Sequence, residues 1–301
     1  MKTRDLEEYS KKINGNLYFD YSIKKLNWFN IGGKTKIFFK PETLKELSEF
    51  LKIFNKRGKV TVIGAGSNIL FSDDLYDGVI IKLSKRFNNL SILNKDKIIA
   101  GAGVLDKKLS DFACEMGIGG LEFLSCIPGS VGGGIRMNSG CFGKEFKDVL
   151  LSVQTIDENG RIATYLRKDM DFFYRGINLS HNLIFLSGTF KGSITDYNIR
   201  KKIIDLKSKK DSSQPSKIKT GGSTFKNPVE FTNKKAWELI KEYVPLDTKF
   251  GDAEISKKHC NFFVNTKNAK FDDMINLINF VKKKIKEKTN IDIELEIKII
   301  D

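Results

Sequence analysis

The sequence predicts an α+β fold divided into two or three domains. At 301 residues the chain is long enough to bury more than one hydrophobic core. Stretches with apolar residues at helical spacing alternate with short β-rich runs, and there is no internal repeat. Several of the β-rich runs lead directly into glycine turns, which indicates that a ligand approaches the backbone there.

The first helix and the first glycine turn lie in the first quarter of the chain. A short apolar run at 37–39 predicts a strand, and apolar residues at helical spacing from Leu44 to Phe54 predict a helix that Gly58 closes. The β-rich run Val60 to Ile63 then enters the turn Gly64-Ala65-Gly66-Ser67-Asn68. A strand that ends in glycines and small polar residues is a candidate phosphate-binding loop.

This turn does not match the known nucleotide-binding fingerprints. The dinucleotide pattern G-x-G-x-x-G needs a glycine where Ile69 stands, and the next strand, Val79 to Leu83, lacks the acidic residue that would bind a ribose. Gly33-Lys34-Thr35 has the ending of a P-loop, but the first glycine of that motif is replaced by Trp28. A nucleotide cofactor would therefore be bound by another fold.

The densest glycine stretch runs from Ser125 to Gly143. It follows a third turn, Gly101-Ala102-Gly103, and a helix that Gly117 caps. Backbone N–H groups in a glycine loop converge on anions, and Ser130, Asn138 and Ser139 add side-chain donors. We interpret the stretch as a loop that holds a pyrophosphate-bearing cofactor; the alternative is a surface loop with tight turns.

The second half of the chain continues the α+β pattern. Asn159-Gly160 favours positive φ and predicts a hairpin between two β-rich runs. The predicted strands are Val149 to Ile156, Arg161 to Tyr165, Asp171 to Arg175, Leu183 to Phe190 and Ile291 to Ile300; the predicted helices are Tyr197 to Lys210, Lys235 to Tyr243 and Phe271 to Lys288. Asp211 to Thr220 has the composition of a linker, which suggests a domain boundary.

Composition narrows the functional classes. The formal net charge of +15 fits either an anionic ligand or nucleic acid, but the lysines are scattered and no nucleic-acid-binding motif accompanies them. The chain starts without the apolar run of a signal peptide and has no span-length apolar segment, so we expect a cytoplasmic protein. Two histidines and four irregularly spaced cysteines argue against a metal site and against disulfides.

Seven motifs, taken in order, resemble one enzyme family. They are NWFNIGG from Asn27, VIGAGSNIL, IPGSVGGG with MNSG, FFYR, GGSTFKNP, GDAEISKKHCNFFVN and the closing IELEIKII. Together they cover nearly the whole chain and resemble the UDP-N-acetylenolpyruvoylglucosamine reductases, in the shorter subtype without an extra tyrosine-bearing loop.

The resemblance implies a flavoenzyme. Residues 1–195 would form an FAD-binding region of the vanillyl-alcohol oxidase (PCMH) type, with subdomains of about 1–82 and 83–195, and residues 196–301 a C-terminal α+β substrate domain. The reaction would reduce UDP-N-acetylglucosamine enolpyruvate to UDP-N-acetylmuramate, with NADPH as hydride source. It would serve peptidoglycan synthesis, and so cell wall biogenesis, cell shape and cell division.

The resemblance also implies three catalytic residues. Arg175, the arginine after tyrosine in FFYR, would stabilise the enolate, because a permanently charged planar guanidinium suits a carboxylate that becomes a dianion. Ser223 in GGSTFKNP would donate a proton to the neighbouring carbon. Glu296 matches the family's C-terminal glutamate and would assist at the enolate carboxylate; Glu294, which we expect on the same strand face, is the residue with which it is most easily confused.

The remaining site residues follow from the same motifs. Those expected to hold FAD are Gly64, Ala65, Gly66, Ser67, Asn68, Gly129, Ser130, Gly133, Asn138 and Gly140. Those expected to contact substrate are Tyr174, Lys226, Asn227 and His259, although a packed or surface histidine explains His259 equally well. Arg136 departs from the family's usual apolar residue and would either contact an FAD phosphate or face solvent.

We expect a monomer that acts on a small molecule and binds neither nucleic acid nor membrane. The alternatives are another FAD oxidoreductase of the same fold and, more weakly, a basic nucleic-acid-binding protein. A yellow protein preparation would indicate a bound flavin, and so would distinguish both flavoenzyme hypotheses from a nucleic-acid-binding protein.

Overall fold

The structure is a computed structural model that describes residues 4–301. This part of the chain contains seven α-helices. They are α1 (Arg4–Ser10), α2 (Leu44–Phe54), α3 (Asp106–Glu115), α4 (Val131–Arg136), α5 (Ile199–Ser213), α6 (Ala236–Tyr243) and α7 (Phe271–Thr289). Short 3₁₀ helices lie at Lys24–Leu26, Lys85–Phe87, Glu122–Cys126, Phe146–Asp148 and Arg167–Asp169.

The strands are short, and most belong to antiparallel sheets. The first half of the chain contains β1 (Asn16–Ser22), β2 (Lys34–Lys40), β3 (Lys59–Val62), β4 (Ile69–Phe71), β5 (Leu75–Ile81), β6 (Leu90–Asn94), β7 (Lys97–Gly101), β8 (Ile118–Gly119), β9 (Gly140–Cys141), β10 (Lys144–Glu145) and β11 (Leu150–Ile156). The second half contains β12 (Ile162–Leu166), β13 (Asp171–Phe173), β14 (Gly176–Asn178), β15 (Ile184–Lys191), β16 (Ser193–Ile194), β17 (Lys219–Ser223), β18 (Lys249–Phe250), β19 (Ala253–Ile255), β20 (Phe262–Asn265) and β21 (Lys298–Ile300).

The described chain folds into two compact units. The first contains the described residues through Tyr21 together with Lys36–Ala65 and Asp77–Lys209, and the second contains Ser22–Thr35, Gly66–Tyr76 and Lys210–Asp301. Our prediction of a functional division between residues 195 and 196 stays a prediction. The compact units instead divide near Lys209, and two short N-terminal segments belong to the second unit.

The first unit contains two large sheets with separate hydrophobic cores, besides three two-stranded sheets. One sheet has the order β1-β2-β5-β3, with β3 parallel to β5, and its core includes Phe39, Phe50 and Phe54 beside α2. The other sheet has the antiparallel order β12-β11-β15-β7-β6, and its core includes Phe146 and Phe190. These two rings meet edge to face, with their centroids 5.8 Å apart.

The second unit has a four-stranded sheet, a two-stranded sheet and one hydrophobic core among its described residues. The four-stranded sheet has the antiparallel order β17-β20-β19-β18, while β21 pairs in parallel with β4. Helices α6 and α7 present an apolar face to this core, including Leu239 and Ile240 from α6 and Met274 from α7. The pairing of β21 with β4 brings the C-terminal segment beside the residues that follow the first glycine turn.

Most predicted elements are confirmed. The helix predicted from Leu44 to Phe54 is confirmed, and Thr43 caps its first turn. Its closure by Gly58 is wrong, because Asn55 already ends the helix in the left-handed conformation. The Asn159-Gly160 hairpin is confirmed by the antiparallel pairing of β11 with β12, and Gly160 has a φ of 75°. Within residues 4–301, no helix is both long enough and apolar enough to cross a membrane.

Several predictions about local structure are wrong in part. The predicted strand from Asp171 to Arg175 ends at Phe173, because Tyr174 and Arg175 form the loop that follows. The stretch from Ser125 to Gly143 is not a continuous loop, because its central glycines form α4. The predicted linker from Asp211 begins later, since α5 continues to Ser213. The last strand covers only Lys298–Ile300, because the preceding residues make a single bridge, between Leu295 and Phe225, instead of a continuous ladder.

Candidate functional site

Two of the predicted cofactor turns meet within the first unit. The turn after β3 brings Gly64 and the half-buried Ala65 close to Ser130, the residue immediately before α4. A Cβ atom on Gly64 would lie 2.1 Å from the Oγ atom of Ser130. A larger residue at position 64 would therefore displace the serine, so the glycine permits the close approach of these two loops.

Buried polar atoms that lack a hydrogen-bond partner in the described chain lie beside these two loops. Ser130 is 3% exposed, and its Oγ atom has no hydrogen-bond partner among residues 4–301. The carboxylate of Asp106 is buried and likewise lacks a partner in the described chain; a Cβ atom on Gly129 would lie 2.6 Å from its Oδ2 atom. Burial raises the pKa of Asp106 well above its usual range. Because buried polar groups are almost always hydrogen-bonded, these atoms fit a ligand rich in hydroxyl and phosphate groups, such as FAD.

The three glycines of α4 have different surroundings. A Cβ atom on Gly132 would lie 3.0 Å from the Cβ atom of Ala102, and one on Gly134 would lie 2.3 Å from the ring of Phe146. These two glycines allow the helix to pack closely against its own unit. Gly133 is exposed and has only the Ser130 Oγ atom near its missing Cβ, at 3.6 Å. Of the three, Gly133 is the one whose backbone a ligand can approach.

The rest of the first glycine turn belongs to the second unit. Gly66 has a φ of 72°, a conformation that favours glycine. Ser67 is half-buried, and the side-chain amide of Asn68 donates to the backbone oxygen of Glu296 at 3.0 Å. The backbone oxygen of Asn68 accepts from the N–H of Lys298 at 2.9 Å. Asn68 thus fixes the backbone of the C-terminal segment on both sides of residue 297.

The other predicted cofactor residues of the long glycine stretch are engaged by protein groups. Asn138 is completely buried with a φ of 41°, and its amide donates to Glu145 Oε2 at 2.9 Å and to the backbone oxygen of Phe173 at 3.1 Å. Its Oδ1 atom accepts from the backbone N–H of Lys147. A Cβ atom on Gly140 would lie 2.6 Å from the backbone oxygen of Lys144, so this glycine is required by the β9–β10 hairpin.

Arg175 lies in the tight turn between β13 and β14. Phe173 pairs with Gly176, so Tyr174 and Arg175 are the two loop residues of this hairpin. Arg175 has a φ of 60°, in a region that turns normally fill with glycine or asparagine. Its guanidinium carbon lies 4.7 Å from the centroid of the Tyr174 ring, and its Nη1 atom lies 3.5 Å from Glu145 Oε1. The side chain is only 17% exposed, so the charge is partly desolvated.

Ser223 and Glu296 come together within the second unit. Ser223 ends β17, and the next residue, Thr224, accepts a hydrogen bond from the N–H of Glu296 at 2.8 Å. Phe225 and Leu295 form an antiparallel bridge one step further along. Both Ser223 and Glu296 are half-buried. The structure therefore places the two predicted catalytic residues on adjacent segments of backbone.

Lys226 and Glu294 form an ion pair beside these segments. The Lys226 Nζ atom lies 2.8 Å from Glu294 Oε2, and the lysine lowers the pKa of that carboxyl group. The Glu294 side chain is 74% exposed, whereas Glu296 is half-buried. The two glutamates, which are hard to tell apart by sequence alone, thus have different environments.

Two more predicted substrate residues, Asn227 and His259, also lie in the second unit. Asn227 Oδ1 accepts from the backbone N–H of Ala236 at 3.0 Å, at the start of α6. The ring of His259 is half-buried against Phe262, with centroids 4.8 Å apart, and its Nδ1 atom is buried without a partner in the described chain. Burial lowers the pKa of His259, so the imidazole is neutral at pH 7.

Both expectations for Arg136 are wrong. Its guanidinium donates to three backbone oxygens of one segment, those of Leu179 and Ser180 at 3.2 Å and of Leu183 at 2.7 Å. It also stacks over the ring of Phe185, with its guanidinium carbon 4.6 Å from the centroid. Arg136 is therefore neither a phosphate ligand nor a solvent-facing side chain; it holds the segment between β14 and β15.

Sequence reasoning missed two acidic residues in these clusters. Asp106 is the first residue of α3, where an acidic residue is ordinarily explained by the helix dipole. Glu145 stands in a two-residue strand and belongs to none of the recognised motifs. No three His, Cys, Asp or Glu side chains gather as a metal site within residues 4–301.

Comparisons with known proteins agree with this arrangement. Residues 35–165 match the family model of the FAD binding domain, and residues 214–300 match that of the UDP-N-acetylenolpyruvoylglucosamine reductase C-terminal domain. A crystal structure of UDP-N-acetylenolpyruvylglucosamine reductase (MurB) from Thermus caldophilus is similar, with a TM-score of 0.81 and 27% sequence identity, and the match covers 96% of this chain and 100% of that chain.

Two relatives that bear the same name match this chain over nearly their whole length. The UDP-N-acetylenolpyruvoylglucosamine reductase of Pelagibacter ubique (strain HTCC1062) is 55% identical over 301 residues, which is 100% of both chains. That of Rickettsia typhi (strain ATCC VR-144 / Wilmington) is 41% identical over 289 residues, covering 96% of this chain and 97% of the relative. The fold is thus the FAD-binding fold of the PCMH type with a C-terminal α+β domain. The chain belongs to the UDP-N-acetylenolpyruvoylglucosamine reductase family.

Proposed function

We propose that Arg175, Ser223 and Glu296 perform the chemistry of the family's reaction in this chain. The chain is an FAD-dependent oxidoreductase that reduces UDP-N-acetylglucosamine enolpyruvate to UDP-N-acetylmuramate, with NADPH as the reductant. When bound, FAD would supply the hydride transfer from NADPH to the enolpyruvyl group. The protein must hold this cofactor, stabilise the negative charge that develops on the substrate and supply a proton.

Most of the cofactor residues we propose lie in the first unit. In the first unit, Gly64 and Ser130 form a close-packed pair of loops, and Gly133 leaves its backbone accessible. Ser130 Oγ is a buried hydroxyl with no partner among residues 4–301, so it is available to a phosphate or hydroxyl of FAD. In the second unit, Ser67 continues the first of these turns.

The single observation that best supports the catalytic assignment is the backbone of Arg175. A φ of 60° costs an arginine about 1–2 kcal/mol relative to ordinary conformations. Strain of this kind persists where surrounding structure enforces it, and it is concentrated at functional sites. The guanidinium is partly desolvated, so its attraction for a carboxylate that gains a second negative charge is stronger than in water.

Ser223 is proposed to donate the proton. A hydroxyl is neutral at pH 7 and can protonate a strongly basic carbon while leaving no unpaired charge in the ground state. The residue before it, Gly222, has a φ of 79°, so the strand turns sharply where the serine stands. Glu296, on the adjacent segment, has its backbone fixed through both Thr224 and Asn68. We propose that it assists at the carboxylate of the enolate.

The proposed substrate contacts combine charge with neutral polar groups. Lys226 would neutralise part of the diphosphate or carboxylate, and its exposed partner Glu294 is easily displaced because surface ion pairs are weak. His259, neutral and with a buried unpaired Nδ1 atom in the described chain, would offer one hydrogen bond. Asn227 would contact substrate in the second unit, and Tyr174 would do so in the first unit, where its ring contacts Arg175.

We further propose a monomer that works in the cytoplasm, where NADPH and UDP-sugars are made. Size-exclusion chromatography with light scattering tests the oligomeric state, and a mass near 34.2 kDa supports the proposal. The basic surface has no assigned partner. If it bound nucleic acid, affinity would fall steeply with salt.

The decisive experiment separates the two half-reactions under anaerobic conditions. NADPH is first used to reduce the bound flavin, and UDP-N-acetylglucosamine enolpyruvate is then added while the oxidised-flavin absorbance is followed. We expect Ser223→Ala to leave flavin reduction near normal and to slow reoxidation by at least ~10²-fold. Ser48→Ala, which removes a half-buried hydroxyl bonded to Gly160, is the matched control and should leave both rates unchanged. Equal slowing of both half-reactions by Ser223→Ala would refute the assignment.

A further inference from the structure

The carboxylate of Glu145 connects three polar side chains of the first unit. Its Oε2 atom lies 2.9 Å from the Asn138 amide and 2.8 Å from the Lys147 ammonium, and its Oε1 atom lies 3.5 Å from the guanidinium of Arg175. The side chain is 19% exposed, so these contacts are shielded from water. One carboxylate oxygen is therefore anchored to the protein, and the other is directed at Arg175.

Asn138 connects this carboxylate to the hairpin that carries Arg175. One amide hydrogen binds Glu145, and the other binds the backbone oxygen of Phe173, two residues before Arg175. Asn138 is completely buried, so both bonds lie in an environment where losing either one is costly. The acceptor and the backbone of the arginine are thus held by the same side chain.

The backbone of Glu145 is fixed as well. Its N–H donates to Asp148 Oδ2 at 2.8 Å, and Glu145 pairs with Gly140 in the β9–β10 hairpin. The carboxylate therefore starts from a rigid position, because neither the backbone nor the anchored oxygen is free to shift.

We propose that Glu145 is the positioning residue of Arg175, an inference that rests on the proposed role of that arginine. Its contact with Nη1 sets the direction of the guanidinium before substrate arrives. At 3.5 Å the contact is longer than the 2.7–2.9 Å typical of a tight charge-assisted hydrogen bond, and Lys147 already balances the other oxygen. Glu145 consequently orients Arg175 through one carboxylate oxygen and one guanidinium nitrogen.

The inference predicts an effect on one half-reaction. Glu145→Gln keeps the shape of the side chain and removes its charge, so the guanidinium of Arg175 loses the electrostatic attraction that fixes its direction. A displacement of about 1 Å at a reacting group can cost up to ~10²-fold in rate. We expect Glu145→Gln to slow flavin reoxidation by substrate ~10-fold or more, chiefly through kcat, while flavin reduction by NADPH stays within about twofold of the wild-type rate.

A double-mutant cycle distinguishes positioning from a merely structural ion pair. The holoenzymes compared are wild type, Glu145→Gln, Arg175→Ala and the double variant, with Glu158→Gln as the control because Glu158 forms an ion pair with Lys56 elsewhere in the same unit. If Glu145 acts through Arg175, Glu145→Gln slows reoxidation in the wild-type background and has no further effect in the Arg175→Ala background. The Glu158→Gln control should match wild type in both half-reactions.

Every other outcome contradicts either the positioning role of Glu145 or the proposed function of Arg175. Equal slowing by Glu145→Gln in both backgrounds, or wild-type rates in Glu145→Gln while Arg175→Ala is slow, overturns the positioning role and leaves the proposed function intact. A wild-type rate in Arg175→Ala overturns the proposed function of the arginine and this inference with it. If Glu145→Gln fails to fold, Glu145→Asp repeats the cycle: it keeps the charge but withdraws the carboxylate by one methylene, and slowing confined to the wild-type background is again the supporting result.

Discussion

The left-handed backbone of Arg175 can be tested by comparing two truncations at the same position. Arg175→Ala and Arg175→Gly both remove the guanidinium, with its contacts to Tyr174 and Glu145, so these losses cancel in the comparison. What remains is the conformational difference between alanine and glycine at a φ of 60°. Alanine pays about 1–2 kcal/mol for this conformation, and glycine pays about 0.5–1 kcal/mol in additional folding entropy. We therefore expect Arg175→Gly to be more stable than Arg175→Ala by about 0.5–1 kcal/mol.

The assay is urea unfolding of both variants in excess FAD, followed by far-UV circular dichroism. For a chain of this length a difference of 1 kcal/mol corresponds to roughly 2 °C in Tm, so midpoints in urea are the more sensitive measure. Both variants should lose reoxidation by substrate to the same extent, since neither carries a guanidinium. If Arg175→Ala equals or exceeds Arg175→Gly in stability, the residue does not adopt the left-handed conformation and the argument from strain fails.

Three further predictions concern the other clusters. Glu294→Gln should have little effect on flavin reoxidation, because this carboxylate is exposed, whereas Glu296→Gln should slow it at least ~10²-fold; the opposite order would show that the two glutamates have been confused. Burial raises the pKa of Asp106, so the folded protein favours the neutral carboxyl group. The stability of the folded protein is therefore highest below the unfolded-state pKa of about 4, and it falls as pH rises from there toward the folded-state pKa. Asp106→Asn should therefore stabilise the protein by about 1–3 kcal/mol in urea unfolding at pH 7.5 and by less at pH 4.5, and an equal gain at both values contradicts this. Gly64→Ala should weaken FAD binding at least ~10-fold by fluorescence titration, because the new Cβ atom would collide with Ser130. The control is Gly143→Ala, which should bind FAD normally. Gly143 has a positive φ and nothing within 4 Å of its missing Cβ, so this variant strains the backbone without a collision.

Several elements were predictable because their causes are local. The helix from Leu44 to Phe54 follows from the spacing of its apolar residues, although its end at Asn55, before the predicted Gly58, became clear only in the structure. The hairpin around Gly160 follows from its turn residues in the same way. The seven ordered motifs were sufficient for the resemblance that led to the family and the cofactor, because motif residues are read directly from the chain.

The local glycine signal was less specific. It correctly indicated positions where the backbone approaches another group closely, but it did not distinguish a ligand from the protein itself. Gly133 leaves room for a cofactor, whereas Gly64, Gly132, Gly134 and Gly140 are required by close contacts inside the first unit. A missing Cβ is the same in sequence whether a phosphate or a phenyl ring occupies its place.

The sequence alone therefore determined the α+β class, most helices and strands, and the residue types available for chemistry. Only the tertiary structure decided how those residues are used: Arg136 holds backbone carbonyls, Asn138 binds Glu145 and Phe173, and Glu145 approaches Arg175 from a separate segment. The physical reason is that these contacts join residues from 7 to 47 positions apart through side-chain hydrogen bonds and charge pairs. Their geometry depends on how sheets and turns pack, and no local propensity or spacing along the chain records it.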